Sequence, residues 1–159
     1  MPTLDPETIS PDQLATMLRA WASGLYAGEA AVDLLIAHGT WLARRDFRQA
    51  LVDAVDDGWG RGGGVEPMAS IDWDAVGHFL ERPEVGASAS EVCILKLAAS
   101  MAGARGPSLM EFTASLDEAN ARLVLDALAH RFGWHERGIS HTVTGHVGRV
   151  PAPRAGEPG

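Results

Sequence analysis

The sequence predicts an all-α protein: a single compact helical domain of five to six helices, with a long N-terminal heptad-patterned helix, a Gly-rich central loop and a disordered C-terminal tail. Three observations predict this fold class. Alanine is abundant, while the residues that favour strands do not cluster in alternating runs. Residues 88–105 would be apolar on almost every side of a helix, which is typical of a buried helix with several neighbours. One apolar register also persists from residue 11 to residue 38.

A chain of 159 residues has the length of one domain with a real core. The predicted divisions, in chain order, are a disordered lead-in at 1–10, a helical domain at 11–137 and a flexible tail at 138–159. Within the helical domain, the Gly-rich loop at 58–69 joins a helical hairpin at 11–57 to a helical core at 70–133.

Composition disfavours several classes of function. The net charge is −8, which repels phosphate backbones, so we do not expect general binding to nucleic acid. No run approaches the ~20 apolar residues of a membrane span, and the acidic, Pro-rich start is unlike a signal peptide. We therefore expect a cytoplasmic protein with no membrane contact. Arginine supplies 12 of the 13 basic residues, which indicates a GC-rich and hence bacterial gene. Cys93 has no partner for an intramolecular disulfide and is interpreted as a small buried hydrophobe.

The first predicted helix spans 11–38, with Ser10 as its N-cap and Gly39 as its terminator. Its heptad seam consists of Leu14, Leu18, Trp21, Leu25, Gly28, Val32, Leu35 and Gly39. Such a helix is about 42 Å long, more than the diameter of a small domain, so its first turns would project from the core. The candidate partner-binding residues are accordingly Leu14, Leu18, Trp21 and Leu25. The alternative is a kink at Gly24 or Gly28, with the helix covering the domain on both sides of the bend.

A second helix is predicted at 47–57, with Asp46 as its cap. The glycine-rich stretch 58–64 follows. It lacks the preceding strand and the Gly-Lys-Ser/Thr sequence of a phosphate-binding loop, and is therefore interpreted as a linker or mobile loop.

The helices predicted for the second half of the chain lie at 72–82, at 88–104, in a short turn at 108–113, and at 116–132. Ser88 and Glu91 form a capping box at the start of the central helix, and Ser115 and Glu118 form another before the last one. The alternation of residues near 141–147 is compatible with one short strand in the tail.

Four histidines occur late in the chain: His130, His135, His141 and His146. Their spacing is compatible with zinc ligation, but no cysteine pair accompanies them and no Glu-x-x-His motif is repeated. We therefore predict no metal site and no cofactor.

No catalytic motif is evident, so the predicted function is a protein–protein interaction module that binds a partner protein or a second copy of itself. An adaptor, an immunity-type inhibitor and an assembly subunit all fit this description. The alternative is an enzyme that uses His78, His130 and Asn120 around an inter-helix cleft. For Asn120, which falls inside an apolar arc, we favour a structural role that ties the 105–115 loop to the last helix. A third alternative is an acidic regulator that contacts nucleic acid through a limited patch.

Overall fold

Helices dominate the computed structural model of this chain, which describes residues 3–59 and 64–142. The helices are α1 (Pro11–Ala22), α2 (Tyr26–His38), α3 (Thr40–Ala43), α4 (Arg45–Leu51), α5 (Val76–Leu80), α6 (Ala89–Met101), α7 (Leu109–Ser115) and α8 (Glu118–Arg131). The strands are β1 (Thr3–Leu4), β2 (Val52–Trp59) and β3 (Val65–Ile71).

Side-chain caps set the start of α1, α6 and α8, as the sequence predicts at the first two, whereas α2 begins after Leu25 without a side-chain cap. Ser10 and Ser88 each accept a hydrogen bond from the amide three residues on, and each completes a capping box. Gly39 ends α2 in the left-handed conformation, with φ of 78°, and its amide donates to the Leu35 carbonyl. The cap of α8 is Asp117, so the prediction of Ser115 at this position is wrong.

The continuous helix predicted at 11–38 is wrong, because the chain turns between α1 and α2. Gly24 has φ of 80°, which favours glycine, and its amide donates to Glu29 Oε1 at 2.8 Å. Arg19 and Asp33 then join the two helices through a 2.8 Å salt bridge. The break lies at one of the two glycines that the alternative interpretation named, and both helices lie against the core.

A three-stranded antiparallel sheet corrects the all-α prediction. The sheet has the order β1-β2-β3, and β2 occupies much of the segment predicted as the helix 47–57. Val52 and Ala54 are buried while Asp53 is exposed, which is the period-two pattern of a strand with one covered face. Part of the predicted Gly-rich loop at 58–69 belongs to β2 and β3; residues 60–63 lie outside the described residues.

The lead-in predicted as disordered at 1–10 is ordered over residues 3–10. Thr3 pairs with Val55 and Leu4 with Ala54 in the sheet, and Ile9 is buried in the core. β1, which lies near the start of the chain, is therefore the third strand of the sheet and pairs with β2.

One apolar core joins the sheet to the helices. α1 packs against β3, while α2 packs against α1, α6 and α8. Trp41, Phe47 and Phe79 pack together in tilted and edge-to-face pairs within this core, with centroid separations of 5.9–6.1 Å. Trp41 Nε1 donates to the Glu91 carbonyl. The protein is therefore a mostly helical compact domain with a small sheet, rather than a pure all-α protein.

The chain beyond α8 is described as far as residue 142, and residues 139–142 contain no strand. The rest of the strand predicted near 141–147, and the rest of the tail predicted at 138–159, lie outside the described residues. The predicted helices at 72–82, 88–104 and 116–132 are each present with shorter bounds, as α5, α6 and α8.

Candidate functional site

The turn between α1 and α2 meets the C-terminal end of α8, and this junction holds the most distinctive side-chain group of the described residues. α8 ends in a Schellman motif: the Gly133 amide donates to the His130 carbonyl, and the Trp134 amide donates to the Ala129 carbonyl. Gly133 has φ of 68°, and a Cβ there would lie 3.0 Å from the ring of Tyr26. Glycine at 133 thus permits both the reversal of the chain and the close approach of α2.

The reversal returns His135 over His130. The two imidazole rings are parallel within 4°, with their centroids 4.1 Å apart. The ring of Tyr26 faces both of them edge-on, at 6.2 Å from His130 and 5.3 Å from His135. Aromatic packing therefore fixes the position of His130, which is only partly exposed.

Glu29 of α2 completes the group. Its Oε2 lies 2.8 Å from His130 Nε2, and its Oε1 accepts the hydrogen bond from the Gly24 amide. One ligand atom from each of Glu29, His130 and His135 lies within 4.8 Å of the other two. We call these three residues the Glu29–His130–His135 cluster.

Hydrogen bonding governs the ionisation of the acidic groups at this junction. Burial alone would raise the pKa of Glu29, but hydrogen bonds from His130 and from the Gly24 amide favour the carboxylate, so the pKa is lower than usual. The pKa of Tyr26 is raised, chiefly because the neighbouring Glu136 carboxylate favours the protonated phenol as an acceptor and as a negative charge. Glu29 is thus ionised and Tyr26 protonated at neutral pH.

Large apolar side chains are exposed around the same junction. The exposed fractions of Trp21, Leu25 and Phe132 are 57%, 47% and 58%. Leu25 and Phe132 immediately precede Tyr26 and Gly133, the two residues whose contact joins α2 to the end of α8. We call Trp21, Leu25 and Phe132 the apolar corner.

The four predicted partner-binding residues divide into two pairs. Leu14 and Leu18 are buried in the core, so the expectation that the first turns of the helix project is wrong. They are buried because α1 folds back against α2 and β3 instead of extending from the domain. Trp21 and Leu25 are exposed beside the turn, and their role in partner binding stays a prediction.

The three candidate catalytic residues lie in different places. His78 of α5 is exposed, with its Nδ1 3.7 Å from Glu81, at a cleft of about 510 Å³ that Lys96 and Arg105 also line. His130 belongs to the Glu29–His130–His135 cluster, and Asn120 lies about 15 Å from it along α8. The structure therefore brings no two of the three candidates into one cleft.

Asn120 joins the starts of two helices. Its Nδ2 donates to Ser90 Oγ at 2.8 Å and to Asp117 Oδ2 at 2.9 Å, while Ser90 donates to Asp117 at 3.0 Å. The amide has the structural type of contact that the sequence predicts. It ties α8 to α6, however, and not to the 105–115 loop.

The sequence prediction missed Glu29 as a member of a site. Glu29 falls within the continuous helix predicted at 11–38, and its contact with His130 joins residues 101 positions apart in the sequence. Of the other late histidines, His141 bonds Asp126 at 2.9 Å, and His146 lies outside the described residues.

Comparison with protein-family models, with curated proteins and with solved structures finds no match to this chain. No helix among the described residues has the length and apolar character that crossing a bilayer requires.

Proposed function

We propose that this protein is a protein–protein interaction module that binds its partner through the apolar corner. The observation that carries the proposal is the exposure of Trp21, Leu25 and Phe132 around one junction of the fold. Aromatic side chains are enriched at protein interfaces, where they supply much of the binding energy. Exposed apolar side chains on segments that meet at one junction are more typical of an interface than single scattered ones are.

Hydrogen bonds of the turn before α2 and of the Schellman motif hold the backbone next to Leu25 and Phe132, which favours a preformed surface. The Leu25 amide donates to the Ala22 carbonyl, and Phe132 precedes the Schellman glycine. Phe132 also packs against Trp134 with the ring centroids 5.9 Å apart. A surface held in this way loses little conformational entropy when a partner binds.

Charge and the positions of the polar candidates support an interaction module over the alternatives. The net charge of −8 disfavours a nucleic-acid partner. An enzyme needs converging catalytic groups, whereas His78, His130 and Asn120 do not share a cleft. A cytoplasmic location is part of the proposal, in line with a single cysteine that is buried as a free thiol.

The test replaces both aromatic residues of the apolar corner by glutamate, Trp21→Glu with Phe132→Glu. The matched control is Leu109→Glu with Met110→Glu, because these two side chains are also exposed and α7 buries no residue. Sedimentation velocity over a range of concentrations gives the native mass, and the melting temperature verifies that each variant folds. We expect the corner variant to lose self-association that the control retains.

A partner other than a second copy is detected by photo-crosslinking from position 21 in the organism that encodes the protein, with position 109 as the control. A monomer that crosslinks to one chain from position 21 alone supports the proposal. A monomer without a position-specific crosslink contradicts it, as does self-association that only the α7 control loses.

A further inference from the structure

We infer that the Glu29–His130–His135 cluster is a binding site for a divalent transition-metal ion of the zinc class. Two imidazole nitrogens and one carboxylate oxygen are ligands that zinc takes in proteins, and the three ligand atoms lie within 4.8 Å of one another. The site is independent of the apolar corner's role as a partner surface, because it needs only this one chain.

The separations of the donor atoms match those of a coordinated ion after a small adjustment. Zinc bonds of 2.0–2.2 Å in a tetrahedral arrangement place two ligand atoms roughly 3.3 Å apart. The 2.8 Å separation between His130 Nε2 and Glu29 Oε2 has to open by about half an ångström. His135, which is the exposed member, has to close the remaining distance.

His135 can make this movement with little loss of other contacts. In the parallel stack, the in-plane lone pairs of the two rings do not converge, so one ring has to rotate before both can bind the same ion. The His135 side chain makes no hydrogen bond within residues 3–59 and 64–142, whereas His130 is held against Glu29. Rotation of His135 therefore disturbs the stack on His130 and the edge contact with Tyr26, but breaks no hydrogen bond.

Glu29 is oriented for ligation by an outer contact. The Gly24 amide holds Oε1 and leaves Oε2 directed at His130, so a hydrogen bond outside the site fixes the orientation of the carboxylate. Binding places the ion between Oε2 and Nε2, so Nε2 has to be unprotonated, and the neutral ring then carries its proton on Nδ1. Three protein ligands leave the fourth position of a tetrahedral ion to water.

The test is a cobalt titration of the full chain after treatment with chelator. Co²⁺ bound by nitrogen and oxygen ligands in a four-coordinate site gives visible absorption bands, and Zn²⁺ should displace it and abolish them. We expect one Co²⁺ per chain. His135→Asn should weaken binding at least tenfold, which is the scale on which lost metal contacts act. His135 is exposed, so this variant separates loss of the site from loss of the fold.

The matched control is His141→Asn, because His141 is the other described histidine beyond α8 and bonds Asp126 instead. This control should bind Co²⁺ as the parent does. Zinc should also raise the melting temperature of the parent and of the control, but not that of His135→Asn. The inference is overturned by absence of the bands at millimolar Co²⁺, by unchanged binding in His135→Asn, or by loss of binding in His141→Asn. None of these outcomes alters the native-mass result for the apolar corner.

Discussion

Arg48 illustrates how a single side chain connects distant segments of this fold. The residue is 6% exposed, and its guanidinium donates to the carbonyls of Leu42, Ile9 and Pro6. A charge buried to this degree is tolerated only when its hydrogen bonds are made. The sequence places Arg48 on an amphipathic helix, where an arginine is usually solvated, so its partners in the segment before α1 could not be foreseen.

His38, unlike Arg48, has a buried polar atom that makes no hydrogen bond to a described group. No described group bonds its Nδ1. Burial lowers the pKa of His38, and the nearby carboxylates Glu91 and Asp117 only partly oppose this effect. The imidazole is therefore harder to protonate in the folded protein than in the unfolded chain.

This depressed pKa makes stability dependent on pH in a defined direction. Above the ordinary pKa of 6.5, His38 is neutral in both states and contributes no pH dependence. As the pH falls below 6.5, the unfolded chain binds the proton first, so the free energy of unfolding decreases until the folded-state pKa is reached. We expect His38→Gln to lose less stability than the parent between pH 7.5 and about pH 5.5.

Urea unfolding at both pH values measures this difference. His78→Gln is the control, since His78 is exposed, and it should behave as the parent does; equal slopes in all three proteins would contradict the argument.

At the scale of elements, local signals predict several helix ends correctly and none of the described strands. The capping residues Ser10 and Ser88 and the terminating Gly39 form hydrogen bonds to residues three or four positions away. Such short-range signals can be recognised in the sequence. β2 contains three aspartates, which disfavour strands, and a register shift between Val55 and Gly58 interrupts its alternation. The alternation from Val52 to Ala54 is too short to identify a strand, and the pairing partners are supplied by β1 and β3, outside the segment itself.

The candidate sites show the same division between local and distant information. Exposure at Trp21 and Leu25 follows from a turn that Gly24 makes, and the heptad register alone could not distinguish them from the buried Leu14 and Leu18. His130 was recognised as a candidate from its residue type. Its partner Glu29 belongs to another helix, and only the packing of α2 against α8 brings the two together.

The glycine that ends α2 provides a test of this capping argument. Gly39 has φ of 78° and nothing within 4 Å of an added Cβ, so Gly39→Ala introduces backbone strain without a clash. We expect this change to lower the free energy of unfolding by about 1 kcal/mol. Gly77→Ala is the matched control, because Gly77 lies within α5, has equal space and carries no positive φ. It should raise the free energy of unfolding by about 0.5–1 kcal/mol. Urea unfolding of both variants measures the two changes in the free energy of unfolding. Changes of the same sign would contradict the role of Gly39 as a left-handed cap.

At the scale of the molecule, both ends of the described chain contact the core through residues that are distant in the sequence. The segment before α1 supplies β1 and places Ile9 beside Arg48. The segment after α8 reverses onto α2 at Tyr26 and carries His135 to Glu29. β2 and β3 pair with each other and include part of the predicted linker at 58–69. The division of the helical domain into a hairpin and a core stays a prediction.

The segment before α1, predicted from the sequence as disordered, provides the last test. Deletion of residues 1–9 keeps the Ser10 cap of α1 but removes β1, the buried Ile9 side chain and two of the carbonyls that Arg48 uses. Burial of an isoleucine contributes about 2 kcal/mol, and unpaired donors on a buried charge cost about 2 kcal/mol more. We therefore expect the deletion to lower the free energy of unfolding by about 4 kcal/mol, measured by urea unfolding followed by tryptophan fluorescence.

Two point variants apportion this effect among its causes. Ile9→Ala retains the backbone and the acceptors of Arg48, so it should lose only the apolar part, about 2–3 kcal/mol. Thr8→Ala changes an exposed neighbour, and it should remain within about 0.5 kcal/mol of the parent. A deletion protein with the unfolding midpoint of the parent would mean that the segment is dispensable, as the sequence alone predicts. A loss in the deletion equal to that of Ile9→Ala would mean that Arg48 finds other acceptors, and that apolar burial by itself holds this end of the chain to the core.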